Sequence, residues 1–155
     1  MEAGSRIMSM SVDIDVNIDM QDALLRLNNM ELRSRNLTPL FIYAKKMLEL
    51  ANAENFATGG LPVGGWAPRR NDEAYTHPPL AGPSGKLMGS LTSLFGPPNV
   101  ITPTSATFGT NVEYAKFHQY GTSKMPARKI IFEPRGFGED LSQKAANYVA
   151  NGTIL

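Results

Sequence analysis

Cysteine is absent from the 155 residues, which removes disulfides, thiolate metal sites and cysteine nucleophiles together and fits a chain made in a reducing cytoplasm. Histidine is scarce as well. His77 and His118 stand forty-one positions apart, and no carboxylate spacing around either points to a metal site. No apolar run approaches the roughly 18 residues that span a bilayer. The opening MEAGSRIMSMSVDIDV carries an early acid and no long apolar core, so neither membrane insertion nor a secretory signal is expected. An excess of one charge is lacking too: fifteen basic and fourteen acidic side chains leave a net charge of +1, whereas a dedicated phosphate binder carries a clear surplus of Lys and Arg. The length is one domain's worth, enough to bury a core without staples, and a single domain over 1–155 is expected.

Catalytic patterns are missing in the same way. Gly82-Pro83-Ser84-Gly85-Lys86 glances at a phosphate-binding loop, yet its first glycine is replaced by Leu80 and the Mg²⁺-binding hydroxyl by Leu87. Neither a GxSxG elbow nor an HExxH zinc motif occurs. Asp13 and Asp15 would share the polar face of a strand, where solvated charges are far commoner than paired catalytic carboxylates. No enzyme activity, cofactor or metal is therefore expected.

Along the chain, Met8, Met10, Val12, Ile14, Val16 and Ile18 alternate with polar residues, which predicts a strand over 8–18. Asp19 is placed to cap a helix over about 20–35 that buries Ala23, Leu24, Leu27 and Met30. Thr38-Pro39 is a second start signal, Thr38 as N-cap and Pro39 as first helical residue, for a helix over about 39–56. Its core face would hold Leu40, Ala44, Met47, Leu48 and Ala51, with Lys45, Lys46 and Glu49 outside, and Gly59-Gly60 ends it. Residues 57–86 turn rich in Gly and Pro and read as an extended loop or arm, either a floppy surface loop or, the reading preferred because Trp66 and Tyr75 make good anchors, an arm that orders against a neighbouring subunit. Ser84 is expected to cap a short helix through Leu91 with Leu87 and Leu91 inward. Residues 99–110 favour strand but hold Pro103, which predicts an edge strand or two short strands with a turn. Phe137, Leu141, Ala145 and Tyr148 recur at helical spacing and predict a C-terminal helix within 136–155, ending near Asn151-Gly152.

The densest stretch is Asn111–Phe132, NVEYAKFHQYGTSKMPARKIIF. Read as a helical turn, Tyr114, Phe117 and His118 share one face, with Lys116 and Gln119 pointing elsewhere. Gly121 stops the turn, Pro126 discourages re-entry, and Arg128–Phe132 follows as a strand. For His118 an interface hydrogen-bonding group or a satisfied, half-buried side chain is favoured over a base or metal ligand. The sum is an α+β domain with a mostly antiparallel sheet, built from residues 8–18, 99–110 and 128–132, packed against two or more helices.

Tyr114-Ala115, then His118-Gln119-Tyr120-Gly121, then Met125-Pro126-Ala127-Arg128 resemble the signature of the phage virion morphogenesis, or tail completion, family. Phe56 to Trp66, Ser84-Gly85-Lys86-Leu87 and Phe108-Gly109-Thr110-Asn111 occur in the same order as in that family, so the likeness covers residues 38–135. The family continues this element with Pro-Phe-Leu, where Lys129-Ile130-Ile131-Phe132 stands here. The resemblance implies a structural virion protein of a tailed bacteriophage, a tail completion or head-tail connector component at the neck or tail end. It implies a homo-oligomeric ring, hexameric or dodecameric, present in host cytoplasm during assembly. The ring would meet connector, tail-tube or tail-terminator proteins, with DNA at most passing through its lumen. Trp66, Tyr114, His118, Gln119, Tyr120, Gly121, Pro126 and Arg128 would be its interface or structural-motif residues. Two other classes stay open: a nucleic-acid-binding module using Lys124, Arg128, Lys129 and Arg135, and a hydrolase using His118 with an acid. The acidic edge of Asp13, Asp15, Asp19 and Asp22 complements the basic cluster, as a head-to-tail contact requires.

Overall fold

A computed structural model of the chain describes residues 20–71, 76, 79–80, 82 and 84–154. The expected strand over 8–18, its acids, the Asp19 cap, Tyr75 and His77 lie outside the described residues. About 52% of the described residues are helical. Helix α1 spans Met20–Ser34, α2 Thr38–Ala57, α3 Lys86–Thr92, α4 Ala115–Tyr120 and α5 Phe137–Asn151; β1 Val100–Ile101 and β2 Ala106–Thr107 form an antiparallel pair. The class is mixed α+β, but the described sheet is only this two-stranded hairpin. No helix among the described residues is long and apolar enough to cross a membrane.

The long helix α2 is the spine. Leu40 and Ala44 are buried and Met47, Leu48 and Ala51 half-buried, as their spacing predicts, while Asn52, Asn55 and Phe56 continue the buried face toward its C-terminus. Helix α2 begins one residue earlier than expected: Thr38 is already helical, and its N–H takes Asn36 Oδ1 at 3.2 Å. Lys45 and Glu49 are half-buried, not outside. Glu49 Oε1 accepts the Leu94 N–H at 3.0 Å, fixing the exit of α3. Asn52 Nδ2 donates to the Leu91 carbonyl at 2.8 Å, satisfying an orphan carbonyl at the end of α3. Leu87 and Leu91 of α3 are buried as expected, although the cap position falls on Gly85 and not on Ser84.

Residues 99–110 make the two short strands with a turn. Pro103 sits in the turn, where its carbonyl receives the Leu37 N–H at 2.7 Å and ties the hairpin tip to the α1–α2 link. Helix α5 carries Phe137, Leu141, Ala145 and Tyr148 half-buried and ends on Gly152 at φ 80°. Tyr43 of α2 donates to Asp140 of α5 at 2.7 Å. Helix α1 departs from its expected packing. Ala23 and Met30 are half-buried, but Leu24 and Leu27 are exposed and the helix buries no residue fully. It is held by Arg33, whose guanidinium donates to the Val149 and Ala150 carbonyls at the end of α5.

The core is Phe56, Trp66, Leu87, Leu91, Val112, Ala115 and Ile130. Two expectations are corrected by it. Trp66 is 8% exposed within its own chain. Its ring meets Phe56 edge-on at 5.3 Å, and its Nε1 donates to the Lys129 carbonyl at 2.8 Å. The indole is thus a core side chain and does not stand out toward a neighbour. The start of the Gly/Pro-rich segment folds back to put it there. Gly60 takes φ 88°, a Cβ on Gly60 would clash with the indole ring, and the Trp66 N–H returns to the Gly59 carbonyl at 2.7 Å.

The second correction concerns Arg128–Phe132, which forms no strand and pairs with none among the described residues. Arg128 and Ile130 are buried while Lys129 and Ile131 are exposed, the period-two alternation of a half-buried strand. Its ladder partners are side chains. Gln119 serves Ile130 and Ile131, Asn55 and Trp66 serve the Lys129 carbonyl, and the His118 carbonyl takes the Arg128 N–H. Backbone polar groups need partners, not a sheet as such.

Candidate interaction surface

The residues singled out in Asn111–Phe132 converge on one corner, built from α4, the tight turn after it and the extended run. Helix α4 is a six-residue segment packed through Ala115, with Tyr114 at its N-cap. The small Ala115 and the preceding Val112 are buried, whereas Tyr114, Phe117 and Tyr120 face solvent. The shared face assigned to Tyr114, Phe117 and His118 is therefore not the buried one. His118 alone of the three reaches inward, with Tyr114 edge-on to it at 6.0 Å.

Gln119 is the clasp. Its Oε1 accepts the N–H groups of Ile130 and Ile131, both at 2.9 Å, and its Nε2 donates to the Ile131 carbonyl at 2.9 Å. Only this orientation of the amide gives all three groups a complementary partner. Gly121 makes the reversal possible. It takes φ 73° and ψ −178°, a region open essentially to glycine. A Cβ there would stand 2.8 Å from the Ala127 nitrogen and 3.0 Å from the Met125 carbonyl oxygen. Thr122 and Met125 then bridge across the turn, and Pro126 follows exposed.

Arg128 is buried, yet its charge is put to use. Nε donates to the Ala67 carbonyl at 2.8 Å and one terminal nitrogen to the Pro68 carbonyl at 3.0 Å. The guanidinium thereby fastens the segment after Trp66 onto the corner, and hydrogen bonding compensates the desolvation of the cation. His118 lies beside it, with a buried Nδ1 that finds no hydrogen-bond partner among the described residues. Burial, and then the nearby Arg128 cation, hold its pKa below the ordinary imidazole value of 6.5. Both causes favour neutral His118.

Outside this clasp lies an open groove of about 670 Å³, lined among others by Val112, Glu113, Lys116, Phe117, Tyr120 and Ile131. Lys116 Nζ sits 5.2 Å from the centre of the Phe117 ring, and Tyr120 at the rim is 81% exposed. The volume suits a segment of another chain or a small molecule. Apolar walls with one acid and one base at hand describe a contact surface. His118 does not line the groove, and no group of three or more potential metal ligands occurs among the described residues.

The structure brings His118, Gln119, Gly121 and Arg128 together with Trp66, through Lys129 and the 67–68 carbonyls. It leaves Tyr120 and Pro126 outside. Of the basic cluster, Lys124, Lys129 and Arg135 are exposed, while Arg128 is committed to backbone carbonyls. Sequence reasoning missed Asn55, fully buried with Nδ2 on the Lys129 carbonyl at 3.1 Å. The signal was available: Leu48, Asn52 and Asn55 continue one helical stripe, and a polar residue at a core position needs a specific partner. No family model, no curated protein and no solved structure matches the chain.

Proposed function

We propose that this chain is a structural component of a tailed-phage virion, of the tail-completion or head-tail joining kind, and that it acts by contact and transforms no substrate. In the particle it forms a homo-oligomeric ring at the neck or tail end, meets connector, tail-tube or tail-terminator proteins, and lets DNA pass at most through its lumen. The observation that carries the reading is the division of labour within the motif. His118, Gln119, Gly121 and Arg128 face inward and close a hydrogen-bonded corner, while Tyr114, Phe117 and Tyr120 between and beside them are exposed, Phe117 and Tyr120 on an apolar groove. The polar side chains of Gln119 and Arg128 are spent on backbone groups, and outward aromatics are what an interface uses.

The test is made on particles. Purified virions of the phage that encodes the chain are analysed by mass spectrometry and gold-labelled with antibody against it. The same phage carrying Phe117→Ser and Tyr120→Ser is then assayed for assembly. The expected result is label at the head-tail junction or tail end, with unjoined heads and tails in the variant although the purified variant keeps wild-type urea stability. A chain absent from particles, and a double variant of normal titre, would overturn the proposal. Native mass spectrometry showing only monomer at high concentration and low salt would remove the ring.

A further inference from the structure

We infer that the groove beside α4 seats the N-terminal segment of a neighbouring copy, residues 8–18, with the apolar side of that segment down. The inference rests on reading the groove as a contact surface between copies, and it names what fills it. The segment lies outside the described residues, so its chemistry is read from the sequence and the chemistry of its seat from the structure.

Charge selects the occupant. Over residues 113–135 five cations stand against two acids, although the whole chain carries a net charge of only +1. Lys116 lines the groove with Phe117 and Tyr120, and Ile131 lines it as well. Along the 128–132 run the exposed positions are Lys129 and Ile131, with Arg128 and Ile130 buried, so Lys129 shares the outer side of the run with the groove-lining Ile131. Both lysines are exposed, and neither makes an ion pair among the described residues. Glu113 is the one acid on the groove's walls. A fitting occupant therefore combines apolar side chains with acids. Met8, Met10, Val12, Ile14, Val16 and Ile18 alternate with polar residues that include Asp13 and Asp15, Asp19 follows, and no cation interrupts them. No stretch elsewhere in the chain holds three acids without a cation.

Period two fits this segment to the groove. With Val12, Ile14 and Val16 down on Phe117, Tyr120 and Ile131, the carboxylates of Asp13 and Asp15 stand on the opposite side, where the long stems of Lys116 and Lys129 reach them from the rim. Reach permits a neighbour as donor: eleven residues of strand span about 36 Å, against a radius of gyration of about 15 Å for a domain of this length. An acidic, apolar segment entering a basic, apolar groove joins unlike surfaces head to tail, which is the contact that closes into a ring. A segment laid in its own chain's groove would close that surface to every neighbour.

Full-length chain, unlabelled and ¹⁵N-labelled, is mixed in urea, refolded at high concentration and low salt, and treated with a carbodiimide, which couples carboxylates to amines. Mass spectrometry is expected to find Asp13 or Asp15 joined to Lys116 or Lys129 in peptides of mixed isotope. Asp13→Lys with Asp15→Lys, and Lys116→Glu with Lys129→Glu, are each expected to weaken self-association about tenfold or more through like charge, with Trp66 fluorescence still native. An equimolar mixture of the two double variants is expected to associate again, since each groove then meets a segment of opposite charge. Coupling confined to peptides of a single isotope would mean that the chain fills its own groove. No coupling between these residues, double variants that associate as wild type does, or a mixture no tighter than its parts would mean that something else fills it. Each of these results overturns the inference, while the virion reading is decided separately, by whether the chain is found on particles.

Discussion

Replacing Gln119 by leucine tests the central structural idea, that a side-chain amide substitutes for a neighbouring strand. Leucine keeps much of the volume and suits helix α4, but removes three hydrogen bonds to residues 130 and 131. Two of these involve exposed groups of Ile131, where water can take over, and each costs about 0.5 kcal/mol to lose. The third is the N–H of Ile130, a residue with no exposed surface, and a buried donor left unpaired costs about 1–3 kcal/mol. The sum is about 2–4 kcal/mol, or on the order of 10 °C in melting temperature for a chain of this size. Glutamate at 119 keeps the two acceptor bonds and loses only the donor, so Gln119→Glu is expected to fall between wild type and Gln119→Leu.

Urea unfolding followed through Trp66 gives the stability, since this is the only tryptophan and it is buried. Hydrogen exchange at Ile130 and Ile131 locates the loss. In Gln119→Leu both amides should exchange markedly faster than those in the middle of α2. If both amides keep wild-type protection and the urea midpoint does not move, then the 128–132 run is held by something other than Gln119 and the account of this corner fails.

Three further outcomes follow from the same contacts. Trp66→Phe keeps most of the ring and loses the bond to the Lys129 carbonyl, so it should cost about 1–2 kcal/mol in urea unfolding, whereas Trp66→Ala should cost about 3–5 kcal/mol. Arg128→Met removes the bonds to the Ala67 and Pro68 carbonyls and should speed trypsin cleavage after Arg69 and Arg70 about tenfold or more, read by timed digestion and mass spectrometry. The pKa of His118 is lowered in the folded chain by burial and by Arg128, so the unfolded chain binds the proton more readily. Stability should be full above the unfolded value near 6.5 and fall as pH drops from there through the folded pKa. His118→Asn should flatten that part of a urea-midpoint profile against pH.

Much of the helical frame is legible from spacing and caps. Helices α2, α3 and α5 and the 100–107 hairpin follow from apolar periodicity, Pro39, Pro103 and Gly152, because these are local preferences that packing here does not oppose. The bonding of the 128–132 run is not legible. Ile130, Ile131 and Phe132 have strand character and the backbone obliges, but whether an extended run finds a strand or a set of side chains depends on residues as distant as Asn55 and Trp66. Alternation reports burial, which Arg128 to Ile131 shows, and carries no information about the bonding partner. Helix α1 fails differently. Its leucines sit at core spacing, yet periodicity says only that a face is apolar and leaves open what covers it. Trp66 was misassigned because a Gly/Pro-rich context suggests reach, when the same glycines let the chain double back.

Helix geometry couples the clasp to the surface it leaves outside. Successive residues on a helix are rotated by about 100°, so a chain that turns Gln119 toward residues 130–131 swings Tyr120 away from them. The packing of Ala115 against the core sends Phe117 outward by the same geometry. Gly121 locks the arrangement, because the reversal after Tyr120 needs both a backbone region open to glycine and a Cα without a Cβ beside Ala127. The exposed aromatics are therefore a geometric consequence of closing the corner. A substitution that opens the clasp should blur the groove as well, even though Gln119 itself reaches inward. The shape of the contact surface then depends on the stability of the corner, whereas the exposed rings of Phe117 and Tyr120 can be changed without opening what Gln119 and Gly121 hold in place.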